Sequence, residues 1–261
     1  MSEARKMRVV SLTCSNTEIV CALGCADDLV GVDDWSDYPE DVVARLPRVG
    51  PDLGIDVEKV KALAPDLVLA SLTVPGHEKV VAAIAAAGLH FVAPAPESLA
   101  DVARDVREIA LLLGVPERGE ALAARLEAAF AQPAPRAARR PKIAIQWWPK
   151  PAILPGRRSW AHDLIELAGG ENLLGGEDLK SRPVADEEFA ALAPDAVVIS
   201  WCGVELDKYR PEVVARNPLW QEVPAIRESR IFKISEAFLG RPGPRLIEGL
   251  AALREVVAAC S

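Results

Sequence analysis

Residues 62–71 read ALAPDLVLAS and residues 191–200 read ALAPDAVVIS, so seven of ten letters agree across an offset of 129. In each copy a short helical stretch leads to a Pro-Asp pair, and an unbroken apolar run follows. Proline disfavours helix at the residue before it, and a continuous apolar run is typical of a parallel strand that is buried on both faces. Each copy therefore predicts a helix that feeds a central strand.

The segments around the two copies also correspond in order. Each half has an opening strand, a helix, and then a second helix and a closing strand after the repeated strand. The corresponding pairs are 7–13 and 141–148, 15–24 and 159–170, 76–88 and 208–218, and 89–93 and 230–235. Ser15 and Glu18 are spaced as a capping box, and Ser159 is placed to begin its helix. Strands that alternate with helices predict parallel βα units, so each half is expected to be a Rossmann-like α/β lobe.

Between the halves lies a segment, residues 97–132, whose apolar residues recur at helical spacing. They are Val102, Val106, Ile109, Leu113, Leu122, Leu126 and Phe130. A helix of about 30 residues would span roughly 45 Å, with Gly114 to Pro116 as the point of a kink. We therefore expect an N-terminal lobe over 1–96, a backbone helix and linker over 97–140, and a C-terminal lobe over 141–261 that ends in a helix over 244–260. A ligand cleft is expected between the lobes.

Composition indicates a well-packed globular protein, because 50% of the 261 residues are hydrophobic and 26% are charged. The formal net charge of −8 disfavours non-specific binding to nucleic acid or to an anionic membrane. The one basic run, RAARRP at 136–141, is interpreted as a solvated linker in preference to a phosphate-binding patch.

The start of the chain resembles a lipoprotein signal, because Lys6 and Arg8 precede an apolar run that ends in Cys14. That run has only about six residues, whereas a secretion signal needs roughly 7–15. No stretch approaches the roughly 20 apolar residues of a membrane span. The sequence as written therefore predicts a cytoplasmic protein, or one whose start has been trimmed.

Ligands of parallel α/β sheets bind beyond the carboxyl ends of the strands, so the residues just after each strand are candidates. Large aromatic side chains are scarce in this chain, yet several fall at these ends in the second half, namely Trp147, Trp148, Trp201, Phe238 and, after a nearby loop, Trp160. This clustering predicts a broad apolar face that binds a ligand. The alternative is that half of these aromatic side chains fill the end of the sheet or the interface between the lobes.

Polar candidates fall at the same strand ends. Arg157, Arg158, Arg182, Arg241 and Arg245 could bind anionic groups of a ligand, and Arg241 is the preferred candidate.

The thiols Cys14 and Cys202 occupy equivalent strand ends, and Ser15 follows Cys14. A soft metal contact between the two thiols is possible chemistry, but small half-buried residues are the favoured interpretation.

Catalytic and metal-site patterns are lacking in the sequence. There is no G-x-S-x-G elbow, no P-loop and no G-x-G-x-x-G after a strand. The three histidines, His77, His90 and His162, show no metal-ligand spacing. We therefore expect no catalytic residue, no metal site and no required cofactor.

Six motifs together resemble the helical-backbone, periplasmic-binding-protein-like family of receptors for cobalamin, siderophores, haem and metals. They are SLTCSNTEIVCALG, VGVDDWSDYPE, LPRVG, VEKVKALAPDLVLAS, LIELAGGENLL and PGPRLIEGLA, in the family's order over nearly the whole chain. The resemblance implies two α/β lobes joined by a long helix, with a ligand in the cleft and little closure. Within the family, SNTE, SDYPE and AGGENLL are most similar to the cobalamin-binding members.

The resemblance also implies roles for individual residues. Tyr38, the loop at Gly50 and Pro51, Trp147, and the loop from Phe238 to Arg241 would line the pocket. Glu78 would dock on an arginine of a transporter permease, whereas Gly240 stands near the place of the second docking glutamate. The family is typically periplasmic or surface-anchored.

Three functional hypotheses follow. The first is a non-enzymatic receptor of the ABC-importer type for a large, partly apolar ligand, cobalamin or another corrinoid. The second keeps the fold and changes the ligand to an iron siderophore or haem. The third, from another class, is a cytosolic corrinoid-handling enzyme or chaperone.

Overall fold

A computed structural model describes residues 6–134 and 139–260 of the chain. The chain divides into two compact units. Unit 1 comprises Met1–Pro96 and Ala103–Arg125, and unit 2 comprises Glu97–Val102 and Leu126–Ser261. Within the basic run at 136–141, residues 136–138 lie outside the described part of the chain, and Arg139 and Arg140 lie inside it.

Unit 1 is built on a four-stranded parallel sheet. Its strands are β1 (Val9–Ser11), β2 (Leu29–Val32), β3 (Leu67–Leu69) and β4 (Phe91–Val92), and its helices are α1 (Cys14–Ala22), α2 (Glu40–Val43), α3 (Val57–Ala62) and α4 (His77–Ala86). The strand order is β2-β1-β3-β4, and every neighbouring pair is parallel. The central strands β1 and β3 are fully buried, as their unbroken apolar runs predict.

Two helices follow unit 1's sheet in the chain, α5 (Leu99–Leu112) and α6 (Pro116–Phe130). All seven apolar residues that predict this helical segment are buried. One expectation differs, because the segment forms two helices and not a single run of about 30 residues. The break falls at Gly114, which takes a left-handed φ of 72°. Beyond it, Glu120 on α6 pairs with Arg107 on α5, with Nε and Oε2 2.8 Å apart.

Unit 2 contains the second parallel sheet. Its strands, in chain order, are β5 (Lys142–Gln146), β6 (Trp148–Pro149), β7 (Ala152–Pro155), β8 (Glu171–Asn172), β9 (Ser181–Val184), β10 (Ala196–Ile199) and β11 (Ile231–Lys233). Its helices are α7 (Trp160–Ala168), α8 (Asp186–Leu192), α9 (Pro211–Ala215), α10 (Pro224–Arg227), α11 (Glu236–Leu239) and α12 (Leu246–Ala258). The order β8-β5-β10-β11 is all parallel and repeats that of unit 1.

The doubled sequence is repeated in the backbone geometry. Ala64 and Ala193, the last residues before the two prolines, both adopt a left-handed conformation, with φ of 45° and 49°. In unit 1, the backbone N–H of Arg8 donates to Asp66 Oδ2 at 3.0 Å. In unit 2, the N–H of Lys142 donates to Asp195 Oδ2 at 2.8 Å. Each Pro-Asp pair therefore ends a helix and fastens the repeated strand to the beginning of the opening strand.

Three local expectations are corrected. α1 begins at Cys14 with Thr13 as its N-cap and with no side-chain cap, so the capping box at Ser15 is wrong. The helix expected over 208–218 is short, because α9 covers only Pro211–Ala215 and a 3₁₀ turn follows at Pro218–Trp220. A second, antiparallel sheet, in the order β6-β7-β9, occupies part of the region interpreted as loops. By contrast, the Ser159 hydroxyl caps α7 by accepting from the Ala161 N–H, as predicted.

Candidate functional site

Exposed apolar side chains collect in the loops that follow the strands of unit 1. Trp35 and Tyr38 come after β2, and they are 51% and 48% exposed. Leu53 lies in the loop after the Val32–Arg48 bridge, and Val74 lies in the loop after β3. We call these four residues the unit 1 face. Solvated apolar groups at the carboxyl ends of parallel strands form a site suited to ligand binding.

Asp52 connects the loops that carry the unit 1 face. Its carboxylate bonds His77 Nε2 at 3.3 Å. Burial raises the pKa of Asp52, but hydrogen bonds from His77 and from the Trp35 side chain outweigh burial and lower that pKa below its usual value. Gly76 packs close by, because a Cβ at its φ of 107° would lie 3.1 Å from Leu53. One ionised carboxylate therefore bonds the Trp35 side chain and, through His77, the loop that carries Val74.

His77 is buried and holds two of these loops together. Its Nδ1 accepts from the N–H of Val74 at 3.3 Å, so its Nε2 carries the proton that is donated to Asp52. We expect His77→Ala to lower the free energy of unfolding by about 2 kcal/mol, because both partners lose a hydrogen bond in a buried site. Urea unfolding measures this change.

Two variants serve as controls for His77. His77→Gln retains a donor and an acceptor and should recover part of the loss. Lys79→Ala, an exposed change on the same helix, should stay within about 0.5 kcal/mol of the wild type. Equal stability of His77→Ala and Lys79→Ala would contradict the role given to His77.

A second set of exposed apolar side chains follows the strands of unit 2. Trp148 is 44% exposed just after β5, and Leu206, Val213 and Leu219 follow β10 at 42%, 38% and 49%. We call these four residues the unit 2 face. Trp148 belongs to the predicted set, whereas the other three were missed because isolated aliphatic residues carry no motif.

A groove of about 680 Å³ is lined in part by two members of the unit 2 face, Val213 and Leu219. Its walls are the β6–β7 turn at 149–151, the beginning of α8 at 184–186, and the segment 212–219 that contains α9. We call it the hairpin groove. Its volume is in the range of small-molecule sites, about 300–1,000 Å³. None of the predicted ligand residues lines it, although Trp148 adjoins its first residue.

Two of the predicted tryptophans are core residues in this structure. Trp160 is buried, and its indole N–H donates to the Leu239 carbonyl at 2.7 Å. Trp201 is buried, and its indole N–H donates to Gln146 Oε1 at 3.0 Å. Each indole is thus packed and hydrogen-bonded within unit 2. Both indoles leave little surface for a ligand, and their part in a broad apolar ligand face stays a prediction.

The remaining predicted contacts are distributed over the two units. In unit 1, Cys14 and Ser15 form the first turn of α1, and Gly50, with φ of 108°, precedes the exposed Pro51. In unit 2, Trp147 is half-buried, and its carbonyl accepts from the N–H of the exposed Cys202. Phe238 lies under the Arg245 guanidinium at 5.4 Å. Cys14, Ser15, Trp147 and Cys202 lie within about four residues of the end of a strand, whereas Gly50 and Pro51 follow the bridge at Arg48 and Phe238 lies in α11.

Four of the five arginines considered as ligand contacts are engaged with protein carboxylates. Arg158 bonds both Glu97 oxygens at 2.6 Å, Arg157 pairs with Asp178 at 2.9 Å, and Arg241 meets Glu236 at 3.3 Å. Arg182 holds Glu177 and Glu188 together, and its hydrogen bonds lower the pKa of both carboxyls. These partners neutralise the charges that were considered for an anionic ligand.

The described residues contain no cluster of metal-ligating side chains, and burial keeps two of their weakly acidic groups protonated. Within 6–134 and 139–260, no group of three or more His, Cys, Asp or Glu residues could hold a metal ion. Burial raises the pKa of the Cys21 thiol to about 11 and that of Tyr209 to about 12, so both stay protonated at neutral pH. In the same ranges, no helix is long and apolar enough to cross a membrane.

Comparison with known proteins agrees with this architecture. The family model for periplasmic binding proteins matches residues 9–237. The chain belongs to this family. It is a substrate-binding protein of the ABC-importer type and not an enzyme, as predicted. Family membership implies a small-molecule ligand and a permease partner, and the two-lobed α/β fold with parallel sheets is confirmed.

Three relatives illustrate the range of the family. An uncharacterized ABC transporter substrate-binding lipoprotein of Bacillus subtilis is 27% identical over 96% of this chain and 79% of its own length. A vitamin B12-binding protein of Vibrio vulnificus is 26% identical over 92% of this chain and 86% of its own length. The periplasmic haem-binding protein RhuT of Roseiflexus sp. RS-1 superimposes with a TM-score of 0.83, at 30% identity, covering 98% of this chain and 99% of that one.

Proposed function

We propose that this protein binds cobalamin or another corrinoid and delivers it to an ABC importer. The observation that carries the proposal is the exposure of four apolar side chains at the strand ends within each unit. A large ligand with an apolar ring buries such surface, and the aromatic members add stacking. The Vibrio vulnificus vitamin B12-binding relative supports the choice of ligand.

An iron siderophore or haem is the second candidate, because the Roseiflexus relative is a haem-binding protein. The two ligand classes differ in charge. Haem carries two propionates, whereas a corrinoid periphery consists mainly of neutral carboxamides. Arg157, Arg158, Arg182 and Arg241 are already paired with carboxylates, which favours the less charged ligand. The third hypothesis, a cytosolic corrinoid chaperone, would use the same binding faces without a permease.

Glu78 is the proposed contact with the permease. It is exposed in the first turn of α4, and its carboxylate accepts from the Gly76 N–H at 2.8 Å. Hydrogen bonds from the backbone N–H groups of Glu78 and Gly76 lower the pKa of Glu78, so it stays ionised and can meet a permease arginine. This proposal locates the working protein on the periplasmic or outer side of the membrane.

Calorimetric titration with cyanocobalamin, haemin and a ferric siderophore tests the ligand. We expect micromolar or tighter binding of cyanocobalamin, and a loss of about tenfold in affinity for Trp148→Ala and for Trp35→Ala, because each removes a stacking surface. Leu111→Ala, which changes a 67% exposed side chain on α5, is the matched control. Binding of haemin without binding of cyanocobalamin would overturn the proposal in favour of the second candidate.

A further inference from the structure

The walls of the hairpin groove are fixed before any ligand arrives. Below the groove, Phe189 on α8 stacks on Trp220 with ring centroids 4.2 Å apart. The Trp220 indole N–H also donates to the Asp186 carbonyl at 3.0 Å, which holds the beginning of α8. On the opposite side, β7 pairs with both β6 and β9. A preformed groove loses little entropy when it is filled.

The groove lies at the edge of unit 2 where ligands of parallel sheets bind. The β6–β7 turn follows the carboxyl end of β5, and α9 follows that of β10. α8 runs toward the beginning of β10, so its first residue, Asp186, faces the carboxyl ends of the strands. The groove and the exposed Trp148 therefore share this edge.

The lining of the groove combines an apolar surface with charges of both signs. Pro149, Pro151, Val213 and Leu219 supply rigid rings and branched side chains. The charges come from two cations and two anions, which are Lys150, Arg216, Asp186 and Glu212. None of these four side chains pairs with another group in the described part of the chain. Unit 2's other arginines discussed above, by contrast, are all paired.

The two cations and two anions cancel, so the groove offers no net attraction to a ligand that carries a charge of either sign. A primary carboxamide fits both kinds of group. Its carbonyl oxygen accepts from Lys150 or Arg216, and its NH₂ group donates to Asp186 or Glu212. We propose that the hairpin groove binds the carboxamide-bearing edge of a neutral amphipathic ligand, with the apolar body of the ligand against the prolines, Val213 and Leu219. This inference rests on the proposed function, because corrinoids are carboxamide-rich ligands of this chemistry.

The test compares two corrinoids of equal ring structure. Dicyanocobinamide carries carboxamides, and dicyanocobyrinic acid heptamethyl ester carries esters, which lack the N–H donors. We expect the wild type to prefer dicyanocobinamide. The double variant Glu212→Ala/Arg216→Ala should weaken dicyanocobinamide about tenfold and the ester by less, because the ester has carbonyl oxygens that accept from Arg216 but no N–H that donates to Glu212. Leu219→Asp, at an exposed position, should weaken both ligands because it places a charge on the apolar surface.

Controls keep the groove and the corrinoid function separable. Glu222→Ala/Arg227→Ala removes the same two charge types from exposed positions of unit 2 outside the groove and should change neither affinity. If the groove variants still bind both corrinoids tightly, the role of the hairpin groove in carboxamide binding is refuted and the proposed function stands. Failure of the wild type to bind any corrinoid would overturn both.

Discussion

Trp220→Ala is expected to lower the free energy of unfolding by about 4 kcal/mol, within the range for replacing a buried Trp or Phe by alanine. Trp220 is 2% exposed, so its removal leaves a cavity against Phe189 and releases the Asp186 carbonyl. Chemical denaturation followed by circular dichroism measures the loss. The same variant should weaken binding of dicyanocobinamide, because α8 and the turn at Pro218–Trp220 form walls of the hairpin groove.

Neighbouring substitutions separate the contributions to this effect. Trp220→Phe keeps a ring against Phe189 and loses the hydrogen bond to Asp186, so we expect a loss of about 1 kcal/mol. Leu219→Ala removes an exposed side chain next to it and should change stability by less than about 0.5 kcal/mol. An unfolding midpoint of Trp220→Ala equal to that of Leu219→Ala would refute the structural role of Trp220.

The scaffold could be predicted because its signals are local and doubled. Pro65 and Pro194 stop a helix in each half, and an unbroken apolar run follows each proline. The order of helix, proline and apolar run was therefore enough to predict a parallel sheet in each half. The apolar spacing of 97–132 likewise predicts helix, and the residues it selects are buried. The spacing does not predict the angle between α5 and α6, because the break between these helices depends on the left-handed conformation of Gly114.

The candidate site was less predictable because burial and pairing depend on tertiary neighbours. Trp148 and Trp201 each follow a parallel strand, yet Trp148 is exposed and Trp201 is buried against Gln146 and Tyr209. The ion pairs of Arg182 could not be predicted from the sequence. Its partners, Glu177 and Glu188, resemble ordinary surface charges until the fold brings them together. Antiparallel pairing of the very short β6 also lacks the alternating pattern that would reveal it.

Asp195→Ala is expected to lower the free energy of unfolding by about 3 kcal/mol, because it removes hydrogen bonds to a nearly buried charged group. Asp195 accepts from the Lys142 N–H at 2.8 Å and from both terminal nitrogens of Arg139 at 2.7 and 2.8 Å. Arg139 is largely exposed, so solvent screens its share, and the backbone bond at the start of β5 carries the larger part. Denaturant unfolding is the measurement.

The pH dependence of Asp195→Asn gives a second readout. Hydrogen bonds from Arg139 lower the pKa of Asp195, so the folded state favours its charged form. Its contribution is therefore fully present above the unfolded pKa, about 3.9, and is lost as pH falls through the lower folded value. We expect wild type and Asp195→Asn to differ in stability at pH 7 and to converge in acid. In unit 1 the corresponding Asp66→Ala removes the bond from the Arg8 N–H at 3.0 Å, and it should lower the free energy of unfolding by at least about 1 kcal/mol. A difference that persists unchanged below the folded pKa would show that Asp195 acts through shape and not through its charge.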